Sequence, residues 1–280
     1  MVRVGIMQGR LSPPIGGRIQ SLPVNTWQEE FFRAREAGLD CIEWIYEAGT
    51  DAVNPLRTDE GVAEIRWWAE NSGVTVLSVC ADYYMMERLI APNGMLRESN
   101  IQHLRWLVGR TSLLGARHIV LPFVDESSLQ SPQEIENLPT ILRAVTTSAD
   151  RAGVELHLET DLKPTILVKI LERISNPMVR VNYDIGNSAA LGHNPNEELP
   201  LLGPWLGSVH VKDRVFGGGS VPLGTGAADF ATCFRLICEA SFDGAFILQA
   251  ARQEGLGEVE LAKRNRQFVE KQLAAVITRS

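Results

Sequence analysis

The sequence predicts an α/β protein, a single (β/α)8 TIM barrel occupying residues 1–280. Three observations predict it. Eight short apolar runs of strand character recur about 25 to 43 residues apart, the spacing that βα units require. Four of them share one punctuation, an amphipathic stretch that ends in a glycine and turns into the run: Gly38, Gly73, Gly115 and Gly153. The first run is followed by Gln8-Gly9-Arg10-Leu11-Ser12-Pro13-Pro14, where a doubly wound open sheet would carry a GxGxxG turn.

The runs are residues 2–7, 39–43, 74–77, 116–120, 154–159, 179–183, 208–211 and 245–248. Their near-continuous apolar character fits strands buried on both faces of a parallel sheet. The glycines ahead of them are expected in the left-handed conformation that closes a helix. Helix starts fall between the runs: Thr26 with Glu29 as a capping box, Thr58, Ser131 ahead of Pro132 at the first helical position, and Asp229. Trp67, Trp68 and Trp106 lie in amphipathic stretches and are expected to pack helices against the barrel. Tyr83-Tyr84-Met85-Met86 reads as an apolar lid or as a segment packed beneath the following helix, the second being the expectation. The Pro/Gly-rich segments 12–17 and 216–226 follow strands one and seven and read as loops of the active face.

Composition narrows the function. A hydrophobic fraction of 45% with 22% charged residues describes a chain that buries a large core. Acidic residues outnumber basic ones by 34 to 27, a net charge of -7, the wrong sign for tracking phosphate backbones, so no nucleic-acid partner is expected. No run reaches the roughly 18 apolar residues of a membrane helix. Cys41, Cys80, Cys233 and Cys238 show no CxxC spacing and read as reduced thiols, which fits a cytoplasmic protein.

In such a barrel the residues at the carboxyl ends of the strands point into the catalytic mouth. Here they are Gln8, Glu43, Asp82, Asp125, Glu159, Asp184, His210 and Gln249. The last four close successive strands about 4.8 Å apart and so converge. Two carboxylates, an imidazole and an amide oxygen suit one divalent metal ion: Mn2+, Co2+, Mg2+ or Zn2+. Without a cation, two buried carboxylates side by side are costly.

Four segments carry a family resemblance: Leu156-His157-Leu158-Glu159, Tyr183-Asp184-Ile185-Gly186-Asn187, Val209-His210-Val211-Lys212-Asp213, and Val221-Pro222-Leu223-Gly224-Thr225-Gly226 followed by Asp229-Phe230. In this order they resemble the xylose-isomerase-like TIM-barrel superfamily of sugar isomerases and epimerases, which also holds endonuclease IV. The likeness is greatest to its L-ribulose/L-xylulose 5-phosphate 3-epimerase branch. It implies that Glu159, Asp184 and His210 are metal ligands, and that Glu159 is also an acid/base carboxylate. The fourth family ligand is a glutamate, replaced here by Gln249.

That replacement bears on mechanism. Family epimerases use two carboxylates on opposite faces of the substrate, whereas an amide cannot exchange a proton in the useful pH range. An isomerisation with Glu159 as the single base stays open. So does an inosose-type dehydratase or lyase route with His157 or Lys212 as general acid, and a sugar-binding barrel without chemistry. His157 reads equally as an orienting or interior histidine. Gln8, Glu43, Lys212, Arg214 and Arg252 are candidates for binding a sugar or sugar phosphate. The glycines of the 217–226 segment would let backbone amides approach an anion, or make a flexible lid. The family implies a homo-oligomer. Five histidines and a negative charge speak against a three-metal nuclease.

Overall fold

The computed structural model describes residues 2–278. The strands in chain order are β1 (Arg3–Met7), β2 (Cys41–Ile45), β3 (Thr75–Cys80), β4 (His118–Phe123), β5 (Glu155–Thr160), β6 (Val179–Asp184), β7 (Leu206–Val211), β8 (Asp213–Arg214), β9 (Ser220–Val221) and β10 (Ala245–Leu248). Eight of them form a closed parallel barrel in the order β1-β10-β7-β6-β5-β4-β3-β2; β8 and β9 make a small antiparallel ribbon. The helices are α1 (Glu29–Glu36), α2 (Asp59–Ser72), α3 (Tyr83–Met86), α4 (Glu98–Leu114), α5 (Pro132–Ala152), α6 (Pro164–Ile174), α7 (Ile185–Ala190), α8 (Pro195–Leu202), α9 (Phe230–Glu239) and α10 (Glu258–Ile277). No helix among the described residues is long and apolar enough to cross a membrane.

All four glycines that punctuate the repeat have positive φ, from 65° at Gly153 to 84° at Gly115. Without a Cβ they adopt the left-handed turn that sends the chain from helix into strand. Ser131 and Glu134 form the reciprocal capping box of α5, Asp229 accepts from Thr232 N, and Thr58 Oγ1 accepts from Gly61 N at 3.0 Å. The expected box at Thr26 does not form: α1 begins at Glu29 behind Gln28, which makes no side-chain cap, and Thr26 belongs to a preceding turn. There the backbone carbonyl of Thr26, rather than its hydroxyl, receives Glu29 N.

Among the described residues the chain divides into two compact units, residues 2–43, 69–75 and 182–278, and residues 44–68 and 76–181. In the first, α9 buries Phe230, Cys233, Phe234 and Ile237 at helical spacing, and Phe234 stacks on Phe246 of β10 with centroids 4.9 Å apart. Such a pair adds roughly 0.5–1.5 kcal/mol beyond its buried area. In the second, α5 turns Leu138, Ile141, Leu142, Val145 and Ala149 inward, and α6 does the same with Leu167, Ile170, Leu171 and Ile174. Leu156 and Leu158 of β5 are fully buried on one face of the strand, which leaves Glu155, His157 and Glu159 on the other. Tyr84 is buried with its hydroxyl 3.0 Å from His103 Nδ1 of α4, as expected, whereas Met86 of the same segment is 68% exposed. Trp67 departs from expectation: it is 53% exposed on the outside of α2, edge-on to Trp68.

Candidate active site

Asp184 closes β6, His210 is the penultimate residue of β7 and Gln249 directly follows β10; all three are buried. Asp184 works with both oxygens. Oδ1 accepts from Asn187 N at 2.8 Å and caps α7, which fixes the carboxylate; Oδ2 lies 3.9 Å from His210 Nδ1 and 3.3 Å from Lys212 Nζ. Gln249 is anchored through its backbone N–H to Val211 O at 3.0 Å, and its Oε1 lies 3.0 Å from Lys212 Nζ.

His210 is fully buried, and its Nε2 is 2.8 Å from Glu43 Oε1, itself fully buried at the level of Met7 on β2. A carboxylate only accepts, so Nε2 carries the hydrogen and the lone pair resides on Nδ1, the atom on the Asp184 side. This is the carboxylate–imidazole arrangement that orients metal-ligating histidines. Glu43, expected to meet sugar hydroxyls, uses Oε1 to orient His210. Glu159 stands on β5, whose neighbour in the sheet is β6. Glu159, Asp184 and His210 are all buried. Ligands at about 2 Å from one ion are separated by about 3–4 Å, and the 3.9 Å between Asp184 Oδ2 and His210 Nδ1 is of that size.

The other candidates divide. Gln8 is buried at the end of β1 with its N–H on Glu43 O. Lys212 joins the site through Asp184 and Gln249. Arg214 is tied by its Nε to Gly218 O and by a terminal nitrogen to Asn187 Oδ1, both at 2.9 Å. Arg252 donates to the carbonyls of Gly9, Ser12 and Ile19. His157 Nε2 meets Glu155 Oε2 at 2.8 Å, at the start of β5, and its ring stacks on His118 with centroids 3.9 Å apart. It is thereby engaged two residues below Glu159.

The glycine-rich loop is organised by a residue that strand-end reasoning passes over. Asp213 is fully buried, and its carboxylate accepts from Gly224 N, Gly226 N and Ala228 N at 2.9, 2.8 and 3.2 Å. A Cβ on Gly226 would lie 2.3 Å from Asp213 Oδ1, so glycine is required there. These three amides hold the chain's own carboxylate. Gly217 N and Gly218 N are likewise spent on Ala190 O and Val215 O. The sequence signal for this loop is an aspartate ahead of a Gly-Thr-Gly turn.

The family model for the xylose isomerase-like TIM barrel matches residues 31–272. The chain belongs to this family. Among the curated relatives of this family member are the L-ribulose-5-phosphate 3-epimerases UlaE of Salmonella heidelberg and of Escherichia coli strain ATCC 8739. Each is 25% identical over 254 residues, with 84% of this chain and 86% of the relative covered. The structure of an L-ribulose 3-epimerase superposes with a TM-score of 0.77 at 18% identity, covering 100% of this chain and 97% of the other. Two further structures share the fold. One is a xylose isomerase-like TIM-barrel protein from Mycobacterium smegmatis in complex with magnesium (TM-score 0.71, 19% identity, 98% and 97% covered). The other is the IOLI protein with a bound zinc atom (TM-score 0.76, 15% identity, 98% and 99% covered).

Proposed function

We propose that this chain is a divalent-metal-dependent isomerase or epimerase acting on a sugar or sugar phosphate by proton abstraction next to a carbonyl. The observation that carries the reading is the buried pair Asp184 and His210, with the tautomer of His210 set by Glu43, and the reading adds buried Glu159 as the third ligand. Gln249 would complete the ligand set through Oε1. Bound at these residues, Mn2+, Co2+, Mg2+ or Zn2+ would supply Lewis-acid stabilisation of the negative charge that proton abstraction creates. Magnesium and zinc in two structures of the same fold support this choice of cofactor.

Glu159 removes the proton from the carbon beside the carbonyl and returns it to the neighbouring carbon on the same face. Gln249 exchanges no proton, so this one-base transfer suits the site better than a symmetric two-carboxylate inversion. Lys212 Nζ, 3.0 Å from Gln249 Oε1, supports a second reading in which the ammonium donates a proton where the family glutamate would act, as in an epimerase or a dehydratase. His157 turns to Glu155, which favours an orienting role over proton transfer to substrate. In this reading the chain works as one 280-residue barrel domain in the cytoplasm, with reduced thiols, as a homo-oligomer associating through its outer helices.

The test is solvent exchange: a panel of ketoses and their phosphates is incubated in D2O with the manganese-loaded protein. Carbon-bound deuterium next to the carbonyl of one of them, absent with Glu159→Gln, supports the reading. No incorporation across the panel points to a sugar-binding barrel.

A further inference from the structure

Two arginines cross over between the ends of β1 and β10. Arg10, two residues beyond Gln8, donates to Ala250 O at 2.6 Å, next to Gln249. Arg252, three residues beyond Gln249, returns the contact: its guanidinium donates to Gly9 O at 2.6 Å, Ser12 O at 2.8 Å and Ile19 O at 3.3 Å. The N–H side of the same loop is held by one buried carboxylate. Glu30 accepts from Gly9 N at 3.0 Å, Leu11 N at 3.2 Å and Ser12 Oγ at 2.9 Å. Gly9, at φ 87°, admits no side chain, since a Cβ would lie 2.2 Å from Ser21 O.

The loop after β1 thus has its donors fixed by Glu30 and its acceptors fixed by Arg252. Through Arg10, that rigid loop grips the residue following Gln249. A fork of donors spread over three carbonyls leaves the Arg252 guanidinium little to offer a ligand, and Glu258 Oε1 lies 3.5 Å from the same Nη1 that donates to Ser12 O. We propose that Arg252 and Arg10 are positioning residues that hold Gln249 Oε1 in the ligand set, and that Arg252 does not bind substrate. This rests on the proposed metal reading. A glutamine brings no charge to the ion, so its contribution depends on where the amide is held.

The experiment is a double-mutant cycle read by calorimetric titration with MnCl2, with Tm recorded for each variant. Arg252→Ala is expected to weaken Mn2+ binding about tenfold at a temperature well below its Tm, and Arg252→Lys, lacking the fork, to rescue little. In the Gln249→Ala background, Arg252→Ala is expected to cost nothing further. An additive loss, or an unchanged Kd with a raised KM for substrate, overturns the proposal. Should Arg252→Ala not fold, Arg10→Met tests the other half of the exchange under the same criteria. If the wild type binds no Mn2+, the metal reading has failed on its own account. The clamp is then read by hydrogen exchange: faster exchange of both 9–20 and 249–252 in either arginine variant upholds it, and unchanged exchange overturns it.

Discussion

Lys212 Nζ lies 3.0 Å from Gln249 Oε1 and 3.3 Å from Asp184 Oδ2, so an ammonium is held against two of the four residues of the candidate metal site. Its stem is fixed by close packing on Gly186, where a Cβ would come within 2.9 Å of Lys212 Cγ.

A positive charge beside a dication opposes its binding by an amount that falls with distance and local dielectric. Lys212→Met, which keeps the stem, is expected to tighten Mn2+ binding, on the order of tenfold, while lowering turnover. Calorimetric titration against a turnover assay checks both directions together.

Gln249→Glu adds a carboxylate where only an amide oxygen is available. Tighter Mn2+ binding is expected, along with inversion at the carbon beside the carbonyl, because a second acid/base group is restored. Product stereochemistry by NMR checks the second outcome. An unchanged affinity would put Gln249 outside the ligand set.

Glu43 orients His210 through Nε2. Glu43→Ala removes the acceptor that fixes the tautomer and is expected to weaken metal binding by roughly 10- to 100-fold, as for other orienting carboxylates. Titration of the variant alongside His210→Ala checks it, with the smaller loss expected for Glu43→Ala.

Burial pushes the Glu30 carboxyl up from 4.5 to about 7, although hydrogen bonds from Gly9, Ser12 and Leu11 and the charge of Arg33 pull the other way. A carboxyl raised on folding binds its proton more tightly in the native state. The associated stability is fully present below pH 4.5 and is lost as the pH rises through about 7. The full swing is about 3 kcal/mol. Glu30→Gln cannot titrate, so relative to wild type it is expected to be more stable at pH 8 than at pH 5. Urea denaturation of both proteins at the two pH values measures the difference.

The barrel was legible because its signals are local and repeated: four glycines closing helices, capped helix starts and apolar runs at βα spacing. Residues 245–248 coincide with β10, and the other seven runs each fall on a barrel strand with ends shifted by a few residues. Strand ends also pointed to Glu159, Asp184, His210 and Gln249, since period-two alternation and strand order need no tertiary knowledge. What stayed hidden are partnerships between residues far apart in sequence. Glu43 and Arg252 were visible as polar residues at the mouth, but their partners, His210 and the carbonyls of Gly9, Ser12 and Ile19, lie across the sheet ends. Asp213 faces away from the inward positions 210 and 212, so a search of inward residues overlooks the carboxylate that organises the glycine-rich loop. Thr26 misled because a capping motif was read without the turn that delays α1 to Glu29.

The most direct test of the site is the stoichiometry of metal binding. Titration of the purified chain with Mn2+ is predicted to saturate at one ion per chain, with binding lost in Asp184→Ala while that variant keeps the wild-type circular dichroism spectrum. No saturable binding by the wild type, or full binding by Asp184→Ala, would contradict the account.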